Sequence, residues 1–165
     1  QTREAASRVI MIDPNIRLGF IAGKEVAYRA RIERMIARSD IVKLSDEDLH
    51  WFSGAGDLAT LAQAIRAMGP KVVFVTEGAK GAWAFTDTDA RFVASKKVTV
   101  SDTVGAGDTF NAGVLTALNE LGALTKSRVA NLTAAELDTA LELGARAAAV
   151  TVSRAGANPP WSNEL

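Results

Sequence analysis

The residues best suited to chemistry lie in one run, Asp102-Thr103-Val104-Gly105-Ala106-Gly107-Asp108-Thr109-Phe110-Asn111-Ala112-Gly113. Gly105 and Gly107 stand between a short β pattern and a helical one, and glycine lets the backbone take unusual dihedrals and approach a ligand closely. The first N–H groups of a helix have no intrahelical partner. With the helix dipole they make an anion site suited to phosphate. Asp108 falls in the first turn of that helix. A carboxylate is out of place beside a site that only binds phosphate. It has a purpose if it takes the proton from a hydroxyl that attacks the phosphate. The amides of Gly105, Ala106 and Gly107 then stabilise charge on the moving phosphoryl group. The same turn also reads as a plain helix start in which Asp108 only complements the dipole.

Other candidates each have two readings. Arg17 is either a surface cation or, because it follows a strand end, a partner for a phosphate or an acidic sugar. Lys43 precedes a loop and could reach a phosphate. Ser45 and Asp48 fit a helix-capping box. Thr76, Gly78 and Gly81 read as a strand-exit turn. His50, beside Trp51 and Asp48, is structural, and the Arg-rich stretch from Arg29 to Arg38 is a solvated face.

The elements that must position these residues alternate between short apolar runs and helical periods. Val9–Ile12, Ile41–Leu44 and Val72–Val75 read as buried strands. Gly81–Phe85 and Arg91–Ala94 form a hairpin around the polar tip at 86–89, and Val98–Val100 is a short β run. A helix over 26–38 turns Tyr28, Ile32, Met35 and Ile36 inward. Leu58, Leu61, Ile65 and Met68 line a second helix, with Asp57 as N-cap and Gly69-Pro70 as the stop. A third runs from about Gly107 to Leu121 with Phe110, Val114, Leu118 and Leu121 inward. After a loop over 122–132, Thr133 and Glu136 form a capping box for a helix with Leu137, Leu141, Gly144 and Ala148 on one face. Its small residues allow close approach to a sheet or a ligand. The alternation predicts an α/β fold, with a mostly parallel sheet and helices on both faces. Ligands in such folds sit beyond the carboxyl ends of the strands.

Composition bounds the chemistry. The chain has 165 residues, of which 48% are hydrophobic and 23% charged, which is globular composition. Lys plus Arg and Asp plus Glu are both 19, so no net field attracts nucleic acid or an acidic membrane. There is no Cys and a single His, which removes thiolate catalysis and disfavours a His-based metal site or a Ser-His-Asp triad. No apolar run is long enough to span a membrane, the first residues do not resemble a signal peptide, and a reducing cytosol fits.

The run from Asp102 to Asp108 resembles the second signature of the ribokinase/PfkB family of carbohydrate kinases, D-T-x-G-A-G-D, and matches every specified position. Further resemblances follow in chain order. Asp13-Pro14-Asn15-Ile16-Arg17 is similar to the D-P-N-x-R segment of bacterial fructokinases and 2-keto-3-deoxygluconate kinases. Val42–Asp48 is similar to their V-K-x-S-x-x-E stretch. Val75–Gly81 is similar to the family's T-x-G-x-x-G nucleotide loop, and Ala147–Ala157 to its C-terminal segment. Nothing resembles the family's first Gly-Gly signature or its sugar-covering lid. The resemblance therefore implies that residues 1–165 are the C-terminal, ATP-binding and catalytic part of a single ribokinase-like, Rossmann-type domain, beginning in the end of a helix.

The resemblance also implies roles. Asp108 is the general base and touches the sugar, and Gly105, Ala106 and Gly107 supply the anion hole. Thr76, Gly78 and Gly81 line ATP, with Lys43 near its phosphates. Ser45 and Asp48 stand where the family has the Asn and Glu that order Mg²⁺. Asp102, with carbonyls of Val104, Val152, Ala155 and Ala157, stands where the family holds a monovalent cation such as K⁺. The implied reaction is transfer of the γ-phosphoryl group of Mg·ATP to a sugar hydroxyl. Fructose is the expected acceptor, with Arg17 beside the sugar. 2-Keto-3-deoxygluconate and nucleosides are alternatives within the family, and a noncatalytic nucleotide-binding or interaction module is an alternative of another class. Any homodimer would form through the N-terminal half.

Overall fold

Strands that are apolar at nearly every position are covered on both faces, and here such strands pair in parallel. β1 (Met11–Ile12) pairs with β2 (Ile41–Ser45), which pairs with β3 (Val72–Thr76). The expected hairpin, β4 (Gly81–Phe85) and β5 (Ala90–Ala94), adds antiparallel to β3 and makes one mixed five-stranded sheet in the order β1-β2-β3-β4-β5. The computed structural model describes residues 7–165; the helix end expected at the start of the chain lies outside them. β1 is shorter than the apolar run from Val9, because the Ile10 amide donates to the Asp40 carboxylate at 2.8 Å rather than to a strand.

Seven helices among the described residues cover the sheet: α1 (Leu18–Ile21), α2 (Glu25–Ile36), α3 (Asp46–Ser53), α4 (Leu58–Ala67), α5 (Ala106–Glu120), α6 (Lys126–Val129) and α7 (Ala134–Val152). Side-chain alternation along the strands sorts the core into two layers. Ile41, Val72, Phe74, Ala82 and Ala84 pack with α5 and α7. Val42, Leu44, Val73, Val75 and Phe85 pack with α2, α3 and α4. The same alternation puts Lys43 on the α5 side, and the register that pairs Ile12 with Val42 brings Asp13 beside it.

Helix starts follow the sequence. Ser45, Asp57 and Thr133 each accept an amide of the first turn, and Thr133 and Glu136 close a reciprocal capping box. The glycine at 113 has a packing reason. A Cβ there would lie 2.8 Å from the Gly144 Cα, so the small-residue faces of α5 and α7 meet backbone to backbone. That contact fixes where α5 begins relative to the sheet.

Some expectations fail. Residues 98–100 form no strand, and Val98 and Val100 are exposed. Met35 and Leu121 lie outward rather than in the core, because in the last turns of α2 and α5 it is Ile36 and Leu118 that face the sheet. Residues 122–132 include α6 rather than only loop. Arg29 is not on a solvated face: its guanidinium lies 4.6 Å from the Trp51 ring centroid and donates to the carbonyls of Trp51 and Phe52, tying α2 to α3. No described helix is long and apolar enough to cross a membrane.

Candidate active site

The start of α5 is built by Gly105, which caps the helix in the left-handed region at φ 80° and ψ −1°. A side chain there would be strained, and its Cβ would press on the Ala157 Cβ at 3.1 Å. Thr109 locks the turn, its amide and hydroxyl both donating to the Gly105 carbonyl at 2.9 and 2.8 Å. The Ala106 amide donates to the Thr103 carbonyl at 3.3 Å, so it serves the turn rather than an anion. The amides of Gly105, Gly107 and Asp108 have no hydrogen-bond partner among the described residues. Orphan amides at a helix start form a positive mouth. The Asp108 side chain is exposed in this first turn, and no described residue bonds to its carboxylate.

Beneath this mouth lies a buried polar cluster. Lys43 is only 5% exposed. Its ammonium is 3.1 Å from Asp13 Oδ2, which also accepts from Asn111 Nδ2 at 3.0 Å. A Cβ added at Gly107 would stand 2.9 Å from Lys43 Nζ, so the ammonium rests against the first turn of α5. Asp13 Oδ1 and Asn111 Oδ1 are buried with no donor.

An open cavity of about 510 Å³ lies between β3, β4 and the starts and ends of α5 and α7. Its lining includes Thr76, Gly78 and Gly81 from the predicted nucleotide loop, Ala106 and Gly107 from α5, and Ala145, Ala148 and Ala149 from α7. That volume suits a cofactor-sized ligand. Gly81 is obligatory there: its φ is 144°, and a Cβ would fall 2.1 Å from the Val93 carbonyl oxygen. Glu77 braces the loop, accepting from Trp83 Nε1 at 2.8 Å and Lys80 Nζ at 2.9 Å. The Lys80 hydrogen bond first, and Trp83 second, hold the Glu77 carboxyl below the usual glutamate range.

The remaining predicted residues do other work. Asp102 Oδ1 accepts the Val104 amide and Oδ2 the Gly156 amide, both at 3.0 Å, clamping the loop before α5 to the one after α7. The Val104 bond first and the Gly156 bond second keep its carboxyl below the usual aspartate range. The Val152 carbonyl accepts the amides of Ser101 and Asp102. Asp102 and Val152 are thus engaged by N–H donors in the two loops that would supply the expected cation ligands with Val104, Ala155 and Ala157. Ser45 and Asp48 do not reciprocate as a capping box. Ser45 Oγ accepts the Asp48 amide, while the buried Asp48 carboxylate accepts the Ile16 amide at 3.1 Å and tethers the D-P-N-x-R loop. Arg17 is exposed, its guanidinium on the Ile16 carbonyl at 3.3 Å, outside the cavity lining. His50 contacts the Asp46 and Gly56 carbonyls and is structural, as expected. No cluster of three or more His, Cys, Asp or Glu exists among the described residues. The described residues therefore offer no all-protein cage of three or more such ligands for a divalent ion.

Sequence reasoning missed Asn111, Asp13 as a site residue and the 95–98 segment of the cavity wall. Asn111 carried a signal: it follows Gly107 by one helical turn and shares its face. The 95–98 segment has no periodicity, so nothing local marked it.

The comparisons agree with this geometry. The model of the pfkB family of carbohydrate kinases matches residues 1–164. A fructokinase of Rhizobium leguminosarum bv. trifolii is 55% identical over 130 residues, 79% of this chain and 40% of the relative. A fructokinase of Salmonella typhimurium is 34% identical across 99% of this chain and 51% of its own length. Among solved structures, a Vibrio cholerae O395 fructokinase with fructose, ADP and calcium bound has a TM-score of 0.73 at 30% identity, over 89% of this chain and 45% of that one. An aminoimidazole riboside kinase of Salmonella enterica, complexed with aminoimidazole riboside and an ATP analogue, has the same TM-score of 0.73 at 28% identity, over 90% and 47%. The chain thus spans roughly half the length of the relatives it matches. With its sequence matched nearly end to end and its α/β fold shared with these kinases, the chain belongs to the pfkB family of carbohydrate kinases.

Proposed function

We propose that this chain is the nucleotide-binding and catalytic part of a kinase that moves the γ-phosphoryl group of Mg·ATP to a sugar hydroxyl, with fructose as the acceptor. The observation that supports it most is an exposed, unpartnered carboxylate, Asp108, on the first turn of a helix whose start, with the free amide of Gly107, lines the cavity. A helix start binds anions, and a carboxylate there opposes that unless it serves a proton transfer.

In this reading ATP lies along the cavity, its phosphates between the Thr76–Gly81 loop and the start of α5. The Asp108 carboxylate takes the proton of the acceptor hydroxyl. That oxygen forms a bond to the γ-phosphorus as the bond from the γ-phosphorus to the β–γ bridging oxygen breaks, releasing ADP. The Gly105, Gly107 and Asp108 amides and the Lys43 ammonium face the developing charge. The resemblance to fructokinases over most of the chain supports fructose. Arg17 favours a second reading: it has no carboxylate partner among the described residues, so a sugar acid could claim it.

An ADP-release assay of the full-length protein against fructose, 2-keto-3-deoxygluconate and nucleosides tests both. Fructose-dependent ADP release supports the first reading; preference for the sugar acid, lost in Arg17→Ala, supports the second. ATP binding without turnover on any acceptor would leave the noncatalytic module.

A further inference from the structure

Lys43 is in an unfavourable place. A helix N-terminus carries roughly half a positive charge and disfavours cations, the more so when partly buried. Its ammonium is nonetheless 93% buried at the side chain and rests against Gly107 in the first turn of α5. Burying an ammonium without a counter-charge costs several kcal/mol, and the counter-charge here is Asp13, 84% buried. A sequence selected only for packing would place an apolar side chain at this position of β2, since an isosteric apolar replacement of a buried pair is often neutral or stabilising. Instead the carboxylate is itself aimed from a second direction: Asn111, one turn into α5, donates to the same oxygen that holds Lys43. The contact spans 98 residues and ties the end of β1 to the signature helix.

We infer that Asp13 and Asn111 are positioning residues that hold the Lys43 ammonium against the amide mouth of α5, so that two positive sources meet one phosphoryl group. This rests on the kinase reading of the site. The pair is neutral until an anion arrives, which makes the cation tolerable beside the helix dipole. An anion at the mouth then draws on one of the remaining ammonium protons while Asp13 keeps another. Asp13 Oδ1 and Asn111 Oδ1 stay buried without a donor; as acceptors they do not bond the anion, but they leave the cluster open. A cluster serving architecture alone has its acceptors filled, because a buried acceptor left open is costly.

The test is a double-mutant cycle in the full-length protein, reading kcat, the KM for ATP and thermal unfolding. Lys43→Met is expected to lower kcat on the order of 10- to 100-fold, the worth of one charge-assisted hydrogen bond. Asp13→Asn should lose a similar factor, and the double variant should lose no more than the larger single loss, because Asp13 acts only through Lys43. Asp13→Glu should recover part of kcat. If Asp13→Asn does not fold, Asn111→Ala loosens the carboxylate without uncovering a charge and should give a smaller kcat loss in the same direction. Wild-type kcat in Asp13→Asn with a lowered unfolding temperature would overturn the inference and leave the pair structural. Losses that multiply in the double variant would overturn it equally, since Asp13 would then act on its own. Both results leave the kinase reading standing; a wild-type protein that phosphorylates no sugar removes that reading and this inference with it.

Discussion

Two lysine–aspartate pairs meet β2, one just before the strand and one within it, and they are built differently. Before the strand, Lys126 of α6 meets Asp40, and both carboxylate oxygens are filled: Lys126 Nζ reaches Oδ1 at 2.8 Å and Oδ2 at 2.7 Å, and the Ile10 amide adds a bond to Oδ2. Beyond β1 on the other side, Lys43 and the Asn111 amide share one oxygen of Asp13, and the second oxygen has no donor. Lys126 is a third exposed, so it could relax into water, whereas Lys43 cannot. The satisfied pair joins α6 and the chain before β1 to the sheet, and its work ends there. The unsatisfied pair sits at the positive mouth of α5, where the enclosed Lys43 ammonium has a use for an incoming anion. Incomplete hydrogen bonding, rather than charge itself, separates the site from the scaffold.

The largest test of this contrast is the carboxylate above the mouth. Asp108→Asn should reduce kcat by roughly 10²- to 10⁴-fold, the usual worth of a general base, with ATP affinity nearly unchanged by calorimetry. Wild-type turnover in that variant would move the chemistry elsewhere and dissolve the contrast.

Removing the satisfied pair should cost folding and not chemistry. Asp40→Ala leaves the Ile10 amide without its acceptor, and stability in urea should fall by about 2 kcal/mol, with kcat per folded molecule intact. A loss of kcat there would show that the two pairs are not distinct in kind.

Gly107→Ala probes the unsatisfied pair from the helix side. Its Cβ would arrive 2.9 Å from Lys43 Nζ, the movable end of a long side chain, so the fold should accept it. The helix gains up to about 1 kcal/mol from replacing glycine, while kcat should drop on the order of 10-fold, about 1.4 kcal/mol in the barrier. A stabilised variant with unchanged kcat would mean the ammonium has no catalytic position to lose.

The smallest effect concerns Glu77, a satisfied carboxylate inside the loop between β3 and β4. Its folded-state carboxyl titrates below the ordinary glutamate value of 4.5, so its contribution to stability is present above that value and is lost as pH falls through the lower one. The Trp83 indole N–H resonance should shift across that acid range and stay flat near neutrality. A shift near pH 7 would place the loop's brace on another group.

Much of this could be seen in the chain of letters. The β runs at 41–44, apolar but for Lys43, and at 72–75 became β2 and β3, and the capping residues Asp57 and Thr133 start the helices they were expected to start. The glycines at 105 and 107 marked the mouth of α5. Val98–Val100 misled, because its apolar residues sit on an exposed stretch at the cavity wall rather than in the sheet. Ser45 and Asp48 misled in part, because the Asp48 carboxylate turned to the Ile16 amide across a gap of 32 residues.

What the order of amino acids determined unaided is whatever depends on neighbours a few residues apart: strand and helix period, caps, and a glycine turn with an acid in the next helical position. Only the folded chain decided which distant groups share one oxygen. Asp13, Lys43 and Asn111 meet because parallel pairing of β1 with β2 and the glycine contact of α5 with α7 fix their separations. Local propensity is indifferent to such meetings, since the free energy that enforces them comes from burying two sheet faces at once.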